Sequence, residues 1–444
     1  MSLKTFKGGV HPGHHKGATE KKPVVPAKAP SVAIIPLSQH IGAPCEPLVA
    51  VGDVVKKGQK IGDSKGFISA PVHASVSGKV SKIAPCNTAL GRTVDAVFIA
   101  NDFQDTWHEE VKPNESWEQL TVDELKKVVR EAGIVGMGGA TFPTHVKLSP
   151  PAEQKIEYVL VNAAECEPYL TADHRAMLER AEDLIVGLKL VMKAVNAPKG
   201  YIGIEDNKPD AVAVMQKAAA GEPNIEVYAL HTKYPQGAEK QLIKVLTGRE
   251  VPSGGLPAAV GCVVQNVGTC IAIADAVRFG VPSIERIVTI TGSGIKEPKN
   301  MLVRVGTPLE QVVEECGGFT DDLRKVILGG PMMGFAQAGT ENLPVTKGTS
   351  GILCLTDKEV EVDELHPCIK CAKCVEVCPV SIMPIFIGSS VEQGMYDLAE
   401  TYNAMDCIEC GCCSYICPAK RPLTQWIRMA KGEIAAKRRA AAAK

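Results

Sequence analysis

Eight cysteines near the carboxyl end of the chain form the same spaced pattern twice. Each copy has the form C-x2-C-x2-C-x3-C-P, in which three thiolates lie close together on one loop and a fourth follows shortly after. Cysteine thiolates at this spacing are ligands of iron–sulfur clusters, which transfer single electrons. The pattern therefore predicts two 4Fe–4S clusters. Their predicted ligands are Cys368, Cys371, Cys374 and Cys378 in the first copy, and Cys407, Cys410, Cys413 and Cys417 in the second.

Other uses of cysteine fit this pattern less well. Structural zinc takes four ligands per ion and has no need of a third cysteine on the same loop, and disulfide scaffolds are typical of short secreted chains. The doubled run resembles that of bacterial two-cluster ferredoxins, in which the fourth cysteine of each run binds the other cluster. That resemblance implies two crossed sets of ligands, with Cys417 joining the first loop and Cys378 joining the second. The additional Cys412 is expected not to be a ligand.

The composition indicates a globular protein of several domains. The chain has 444 residues, of which 45% are hydrophobic and 22% are charged, and its formal net charge is −1. This length predicts about three or four domains, and a net charge near zero argues against a nucleic-acid partner. The start of the chain lacks the apolar segment of a signal peptide. The most apolar stretch, 256–277, contains Pro257 and Asp275, so we expect a buried strand that leads into a helix and no membrane span.

The amino-terminal quarter predicts a lead and a β module. Residues 1–30 are rich in Gly, Pro, Lys and His, and we expect an extended, flexible lead that docks on a neighbour, with metal binding by its clustered histidines as the less favoured alternative. From 31 to 105, β-branched stretches alternate with glycine turns. This segment resembles the lipoyl- or biotinyl-type barrel-sandwich hybrid. The flanks of Lys65 do not match those of a modified lysine, so we expect a structural module.

Alternating strands and helices from 115 to 285 predict an α/β domain with a parallel sheet that binds ligands at its loops. Thr121 and Glu124 predict a capping box at the start of a helix. A strand is expected over 156–161, within an apolar run.

The rest of the chain predicts two smaller units. Residues 286–355 suggest an α+β unit that resembles the β-grasp module of the soluble-ligand-binding (SLBB) type, with Thr307 as the cap of a helix over 308–316. The cluster-bearing segment is expected to span 360–425 as a helical, ferredoxin-like domain. Residues 426–444 form a basic tail, which we expect to be a solvated helix end, although a basic tail also suits an anionic membrane surface.

A glycine-rich segment over 133–147 follows the capped helix. Glycine at 136, 138 and 139 lets the backbone come close to a planar ring or a phosphate, and Lys147 can neutralise a phosphate. The segment does not match the dinucleotide fingerprint G-x-G-x-x-G.

Three segments together resemble the flavoprotein subunit of respiratory NADH:quinone oxidoreductase. The glycine-rich segment is similar to GRGGAGFPTGxKW, residues 162–168 to N-A-D-E-x-E-P, and residues 263–269 to V-V-N-N-V-E-T. With the F-K-G-G-V-H-P start, the barrel-sandwich segment and the doubled cysteine run, nearly the whole chain resembles the C subunits of Rnf complexes. Those complexes are membrane-bound ferredoxin:NAD+ oxidoreductases that move Na+ or H+.

This resemblance implies that the α/β domain binds FMN and that NAD(H) is its substrate. The residues expected to hold the phosphate and ring edge of FMN are Gly136, Gly138, Gly139 and Lys147, and those expected to face the flavin edge are Gly237 and Glu239. Asn162 and Asn266 are expected to form hydrogen bonds with the flavin or its ribityl chain, with Thr269 nearby. Phe142 is expected to stack on the nucleotide, and Glu165 and Glu167 to position the nicotinamide and ribose. No side chain is expected to act as a general acid or base, because the cofactors carry the chemistry.

Two positions depart from the pattern of the related flavoproteins. Ala164 stands where those proteins have Asp, and Ala238 where they have Glu. Our hypothesis is that the missing negative charges favour the reduced, anionic flavin and raise its potential.

The function implied by the resemblance is that of an electron-transfer component of an ion-translocating ferredoxin:NAD+ oxidoreductase. FMN would exchange hydride with NAD(H), and the clusters would pass single electrons to or from partner subunits, with ferredoxin an indirect partner. The chain would lie peripherally on the cytoplasmic face of the cell membrane, against membrane-embedded subunits. Two alternatives stay open: an Rnf-like cobalamin reductase, and a conducting adaptor without flavin.

Overall fold

The computed structural model describes residues 3–360 and 364–442. Within these ranges an amino-terminal lead precedes a two-sheet β module, an α/β domain, a mixed six-stranded sheet and a group of helices. No helix in the described ranges combines the length and hydropathy needed to cross a bilayer.

The amino-terminal lead packs against later parts of the same chain. Phe6 and Val10 are buried, and the backbone N–H of Gly9 donates to the carbonyl of Val377 (2.7 Å). The lead ends in a short strand, β1 (Val24–Pro26). The structure therefore differs from the flexible lead that the composition predicted, because apolar side chains within this polar segment are buried against the folded regions.

The β module consists of two sheets that share one core. Its strands are β2 (Val32–Pro36), β3 (Glu46–Pro47), β4 (Val54–Val55), β5 (Lys60–Asp63), β6 (Val72–His73), β7 (Gly78–Asn87) and β8 (Thr93–Asn101). One sheet has the order β2-β8-β7-β4 and the other β3-β5-β6. Ile35, Ile61 and Ile99 are fully buried between them. Lys65 lies exposed in the loop after β5.

The α/β domain is built on a four-stranded parallel sheet. Its elements are α1 (Val122–Glu131), α2 (Thr144–Lys147), β9 (Tyr158–Ala163), α3 (Ala172–Glu179), α4 (Ala181–Val195), β10 (Lys199–Glu205), α5 (Pro209–Ala218), β11 (Ile225–Leu230), α6 (Glu239–Thr247), β12 (Cys262–Asn266) and α7 (Val267–Phe279). Single 3-10 turns lie at Trp117–Gln119 and Pro257–Val260. The strand order is β11-β10-β9-β12. Helices α1, α3, α4, α5 and α7 contribute to the core on one face, and α6 covers the other, so the central strands are apolar on both faces.

Local sequence signals locate several of these elements. Thr121 and Glu124 form the predicted capping box, in which Glu124 N donates to Thr121 Oγ1 (3.3 Å) and Thr121 N donates to Glu124 Oε2 (2.8 Å). The apolar stretch 256–277 is a strand followed by a helix, as predicted. The strand expected over 156–161 begins two residues later, at Tyr158.

The mixed sheet contains one strand from the distant lead. Its other elements are β13 (Glu285–Thr291), β14 (Lys299–Arg304), α8 (Leu309–Glu315), β15 (Leu323–Leu328), β16 (Phe335–Gln337) and β17 (Gly351–Thr356). The order is β1-β14-β13-β17-β15-β16, with β1 parallel to β14. The predicted cap at Thr307 is wrong: its hydroxyl donates to Arg304 O (2.8 Å) and closes the turn after β14, so α8 begins without a side-chain cap.

The last region is helical. Its helices are α9 (Lys373–Glu376), α10 (Pro384–Glu392), α11 (Tyr396–Thr401), α12 (Cys412–Tyr415) and α13 (Leu423–Ala442), with a 3-10 turn at Ala404–Asp406. The basic end of α13 forms ion pairs with α11, Lys437 with Asp397 and Arg438 with Glu400. The last basic residue of the tail, Lys444, lies outside the described residues.

Candidate functional site

The carboxyl ends of β9 and β12 lie side by side. The parallel register pairs Asn266 with Asn162, so the two amides occupy neighbouring positions at one edge of the sheet. The chain continues from β9 to β10 on one side, whereas β12 is added on the other, so the strand order reverses here. Open α/β sheets bind ligands outside the carboxyl ends of the strands at such a switch point. We refer to the space bordered by Asn162, Asn266 and the loops 136–142 and 234–239 as the switch-point crevice.

The glycine-rich loop is tied to the start of α7. Gly136 N donates to Phe142 O (2.9 Å), which closes the loop. Met137 N donates to Thr269 Oγ1 (2.9 Å), and Thr269 is fully buried. Thr269, predicted to lie near the flavin, therefore also holds the loop in place.

Asn266 is held by two hydrogen bonds of its side chain. Its Oδ1 accepts from Gly268 N (2.8 Å) as the cap of α7, and its Nδ2 donates to Asp173 Oδ2 (2.7 Å). A methyl group added at Gly138 would lie 2.7 Å from Asn266 Nδ2, whereas one at Gly139, at φ +144°, would have no neighbour within 4 Å. The backbone thus passes Asn266 too closely for any side chain at Gly138, and it opens to free space at the next residue.

Asn162 contacts the loop opposite. Its Nδ2 donates to Gly237 O (2.7 Å), and Gly237 N donates to Cys166 Sγ (3.4 Å). A methyl group at Gly237 would lie 3.2 Å from Asn162 Oδ1. The structure therefore brings together the predicted flavin contacts Asn162 and Gly237.

The predicted phosphate-binding lysine pairs with a predicted flavin-edge carboxylate. Lys147 Nζ donates to Glu239 Oε1 (3.1 Å) and to Val264 O (3.2 Å). Lys147 and Glu239 side chains are 28% and 40% exposed, so the pair can open toward an arriving anion.

Glu165 is buried beneath the crevice and is only partly satisfied. Its Oε1 accepts from Asp173 N (2.7 Å), while its Oε2 has no hydrogen-bond partner and lies 3.8 Å from Lys16 Nζ. Burial raises the pKa of Glu165, and Lys16 opposes that rise.

Glu167 faces the mixed-sheet region. Its two carboxylate oxygens accept from Met332 N (3.0 Å) and Met333 N (2.9 Å). Burial raises the pKa of Glu167 to about 7, despite these two donors. The nicotinamide and ribose role of Glu167 stays a prediction, and in this structure the side chain joins two regions of the chain.

Several buried polar atoms in or next to the segments that border the crevice have no hydrogen-bond partner. They are both amide atoms of Gln265, the hydroxyl of Thr144, Gln236 Oε1 and Glu165 Oε2. Such atoms are costly unless a ligand or water satisfies them. FMN offers ring carbonyls, ring nitrogens, ribityl hydroxyls and a phosphate, so these residues fit the cofactor. Gln265 and Thr144 lie within the segments 263–269 and 133–147 that resemble the flavoprotein family, but the sequence analysis assigned them no role.

The predicted ligand cysteines form two spatial groups. Each group joins one loop to the fourth cysteine of the other copy: Cys374 has Cys368, Cys371 and Cys417 as neighbours, and Cys413 has Cys410 and Cys378. Burial first, and then the neighbouring Cys417, raises the pKa of Cys374. The grouping agrees with the crossed sets implied by the ferredoxin resemblance.

The second group surrounds a cavity. Its lining includes Cys378, Cys407, Cys410 and Cys413 among apolar side chains such as Ile427. In the described part of the chain, no three His, Cys, Asp or Glu side chains are arranged to hold a single metal ion. A cluster is larger than one ion and takes its thiolates from around its surface, so a cavity lined by four cysteines fits a 4Fe–4S cluster. Cys412 also lines the cavity, and its Sγ–H points to Tyr234 O (3.9 Å).

The second cysteine loop packs against the segment that borders the crevice. The buried Tyr234 hydroxyl donates to Cys410 O (2.8 Å). The end of the first cysteine run also contacts the α/β domain, because Gln241 Nε2 of α6 donates to Pro379 O (2.9 Å). In contrast, Cys368 and Cys371 of the first copy are exposed. The second loop therefore faces the α/β domain, and the first faces outward.

Four protein-family models match this chain, and together they cover the β module, the α/β domain, the mixed-sheet region and the cysteine-rich helical region. The models that match are the RnfC barrel sandwich hybrid domain over 4–104, the Nuo51 FMN-binding domain over 129–275, the SLBB domain over 287–336 and a 4Fe-4S dicluster domain over 367–420. The predicted fold class, a multidomain α/β and β protein with these four modules, is confirmed.

Curated relatives match almost the whole chain. The C subunit of the Na(+)-translocating ferredoxin:NAD(+) oxidoreductase complex of Acetobacterium woodii is 53% identical, covering 98% of each chain. The C subunit of the proton-translocating complex of Clostridium ljungdahlii is 51% identical over 97% of this chain and 94% of its own. The chain belongs to the family of C subunits of ion-translocating oxidoreductase complexes.

A more distant structural likeness supports the fold of this family member. A chain in the crystal structure of an NAD+-reducing [NiFe]-hydrogenase in the air-oxidized state superposes with a TM-score of 0.50 and 22% sequence identity. The match covers 66% of this chain and 55% of that chain.

Two buried cations outside the α/β domain hold the glycine-rich loop from behind. Arg286 donates from Nη2 to Met137 O (2.6 Å), and Lys347 donates from Nζ to Gly133 O (2.6 Å) and Pro71 O (2.7 Å). Burial lowers the pKa of Lys347 to about 8 and that of Arg286 to about 10. No spacing in the sequence marks these residues, because they meet the loop only through the tertiary fold.

Proposed function

We propose that this chain carries electrons between NAD(H) and partner subunits of an ion-translocating ferredoxin:NAD+ oxidoreductase. FMN bound in the switch-point crevice supplies hydride exchange with NAD(H), and two 4Fe–4S clusters bound by the crossed cysteine sets supply one-electron transfer. The observation that carries this proposal is the shared segment 234–239. Gly237 lies at the crevice, and Tyr234 bonds to Cys410 of the second cysteine loop.

The residues of the crevice divide the work of holding FMN. Asn162 and Gln265 offer amide groups at the strand ends, and Thr144 offers a hydroxyl beside the loop. Lys147 is the cation available to the phosphate, since its partner Glu239 is exposed enough to move aside. Phe142 is half-buried and has the aromatic face needed to stack on the nucleotide. Gly136, Gly138 and Gly139 keep the loop backbone free of side chains.

The two cysteine loops have different roles in this arrangement. The loop of Cys407, Cys410 and Cys413 adjoins the flavin domain, and its contacts with Tyr234 fix the separation between the two sites. The loop of Cys368 and Cys371 is exposed, so it is the side open to a partner. We propose that the partner is a membrane-embedded subunit and that this chain docks on it peripherally at the cytoplasmic face, with ferredoxin reached through other subunits.

The alternatives are less well supported. A conducting adaptor without flavin would have no need of an FMN-binding domain, which is the model that matches 129–275. A cobalamin reductase is disfavoured because the amino-terminal match over 4–104 is to the barrel sandwich hybrid of RnfC itself.

An anaerobic NADH titration tests the proposal. The purified protein, reconstituted with FMN, iron and sulfide, is titrated while flavin absorbance and cluster EPR signals are followed. We expect stoichiometric FMN, bleaching of the flavin by NADH, and two interacting 4Fe–4S signals. Flavin that binds but is not bleached by NADH would contradict the NAD(H) assignment. A chain that binds no flavin would contradict the crevice assignment, and one cluster per chain would contradict the crossed sets. The same protein without added FMN is the control.

A further inference from the structure

The amino-terminal lead reaches the floor of the switch-point crevice. Its Lys16 side chain is only 5% exposed, and the ammonium donates to the carbonyls of Glu165 (3.0 Å), Glu167 (3.0 Å) and Leu170. Three carbonyls for three N–H donors satisfy a buried lysine completely. A single side chain from the lead therefore gathers the segment that contains both predicted nicotinamide-side carboxylates.

That segment has a backbone which needs outside support. Glu165 has φ +47° and Tyr169 has φ +70°. Residues other than glycine rarely adopt this left-handed backbone conformation, and they keep it only where the surrounding structure enforces it. The lead supplies further contacts to the segment: Tyr169 N donates to His14 O (2.9 Å), and the His15 ring stacks on the Tyr169 ring at 4.7 Å with planes 8° apart.

Lys16 supplies a positive charge beside the buried carboxyl group of Glu165. Glu165 Oε2 has no hydrogen-bond donor and lies 3.8 Å from the Lys16 ammonium. The other charged groups that act on Glu165 are Asp173, on α3, and Lys208, which follows β10. Lys208 is itself occupied by Ala164 O (2.7 Å) and Glu205. Removal of Lys16 would leave a buried carboxylate whose remaining cation is shared with Glu205, which is strongly unfavourable.

We infer that the lead is a wall of the flavin site and that Lys16 is its positioning residue, which holds the 165–170 segment in shape and places a positive charge beside Glu165 beneath the flavin. Lys16 touches no cofactor in this assignment and acts through Glu165 and the three carbonyls. The inference rests on the proposed function, because it assumes that FMN occupies the crevice.

The test compares lysine variants of the lead by FMN affinity, measured as quenching of flavin fluorescence on the reconstituted full chain. For Lys16→Met we expect at least a tenfold loss of FMN affinity, and for Lys16→Arg recovery of most of it, because the cation is kept. Lys21→Met is the matched control, since Lys21 is an exposed lysine of the same lead, and it should bind FMN as the parent does. The pH at which FMN affinity changes should move upward in Lys16→Met, a shift that loss of packing alone would not cause.

A second variant keeps the inference testable where Lys16→Met does not fold. His15 is exposed, and His15→Ala removes the stacking on Tyr169 while leaving Lys16 in place. Because this stacking helps to hold Tyr169 in place, we expect a loss of FMN affinity of about two- to tenfold. Parent-like FMN affinity and pH dependence in Lys16→Met would overturn the inference, as would parent-like FMN affinity in His15→Ala where that is the variant available. A failure of the proposed function would be seen separately in the NADH titration of the parent, in which NADH would not bleach the bound flavin.

Discussion

Replacing Gly138 by alanine is the sharpest test of the flavin loop. The added methyl group would lie 2.7 Å from Nδ2, 3.0 Å from Cγ and 3.1 Å from Cβ of Asn266. Asn266 cannot easily turn away, because Gly268 N and Asp173 fix the two ends of its amide. Gly221→Ala is the control, since Gly221 is exposed in the turn after α5, outside the crevice, and its methyl group would meet nothing within 4 Å.

The expected cost follows from the bonds that Asn266 would lose. Loss of a helix cap costs about 0.5–2 kcal/mol, and loss of a hydrogen bond to a charged group costs about 1.5–3 kcal/mol. If both are lost, FMN binding should weaken by about 2–5 kcal/mol, which is roughly 30-fold to several thousandfold in Kd. If the loop moves and Asn266 stays, overpacking costs about 1–3 kcal/mol instead.

FMN titration of the apoprotein, followed by quenching of flavin fluorescence, measures the effect. We expect Gly138→Ala to lose at least fivefold in affinity, about 1 kcal/mol, and Gly221→Ala to remain within about threefold of the parent. Circular dichroism spectra of the apoproteins should coincide, because the change is local. Equal FMN affinities for Gly138→Ala and the parent would refute the placement of the loop against Asn266, as would an equal loss in Gly221→Ala.

Three further changes test other parts of the site. Tyr234→Phe leaves Cys410 O without its buried donor, at a cost of about 1–3 kcal/mol, so amide hydrogens of the second cysteine loop should exchange faster by mass spectrometry. Ala164→Asp adds a buried negative charge beside the crevice, and the flavin midpoint potential should move downward in a potentiometric titration. Glu167→Gln removes a carboxyl group whose pKa is raised from 4.5 to about 7. Between these two pH values the carboxyl group keeps its proton in the folded parent but has lost it in the unfolded chain. As the pH rises from 4.5 to 7, the free energy of unfolding of the parent should therefore fall relative to that of the variant, by up to about 3 kcal/mol. Urea titrations at a series of pH values measure this difference.

Each of these changes has its own control. Tyr228→Phe, which removes a bond to Glu226 at the surface, should leave exchange in the second cysteine loop unchanged; the same rate in Tyr234→Phe would contradict the link to Cys410. Ala164→Asn adds a side chain of the same shape without charge, and an equal potential in the Asp and Asn variants would contradict the charge hypothesis. For Glu167, parallel stability curves for parent and variant across this pH range would show that the carboxyl group titrates normally.

Local patterns in the sequence predicted the elements of the fold well. The capping box at Thr121 and the strand–helix pair within 256–277 depend on residues close in sequence, so propensity and periodicity suffice to find them. The lead was misjudged because its composition is polar, while the few side chains that anchor it, such as Phe6 and Lys16, are buried by distant partners. The cap at Thr307 failed because the hydroxyl found a nearer acceptor in the preceding turn.

In the candidate site, too, the sequence predicted the residues that belong to a local pattern and missed those that act through distant contacts. The spacing of the cysteines was enough to predict the ligands of the iron–sulfur clusters. The resemblance to the flavoprotein family indicated the crevice residues, of which Asn162, Asn266 and Gly237 border one space. The supporting side chains could not be predicted in this way. Arg286 reaches the loop across 149 residues of sequence, and Lys347 across 214. Such contacts carry no periodic signal, since they exist only after the sheets have packed.

The position of Glu167 has a consequence for how the regions act together. A methyl group at Gly330 would lie 2.2 Å from Glu167 Oε2 and 2.7 Å from its Cβ, so the mixed-sheet region approaches this carboxylate without room for a side chain. The loop that follows also lies against the second cysteine loop, because a methyl group at Gly411 would lie 2.9 Å from Met332 O. The 330–333 turn thus contacts both the crevice segment and the cysteine loop. Since precise sites depend on the rigidity of their supporting contacts, we expect this turn to help set the geometry between the proposed flavin and cluster sites, although none of its residues is a predicted ligand of either.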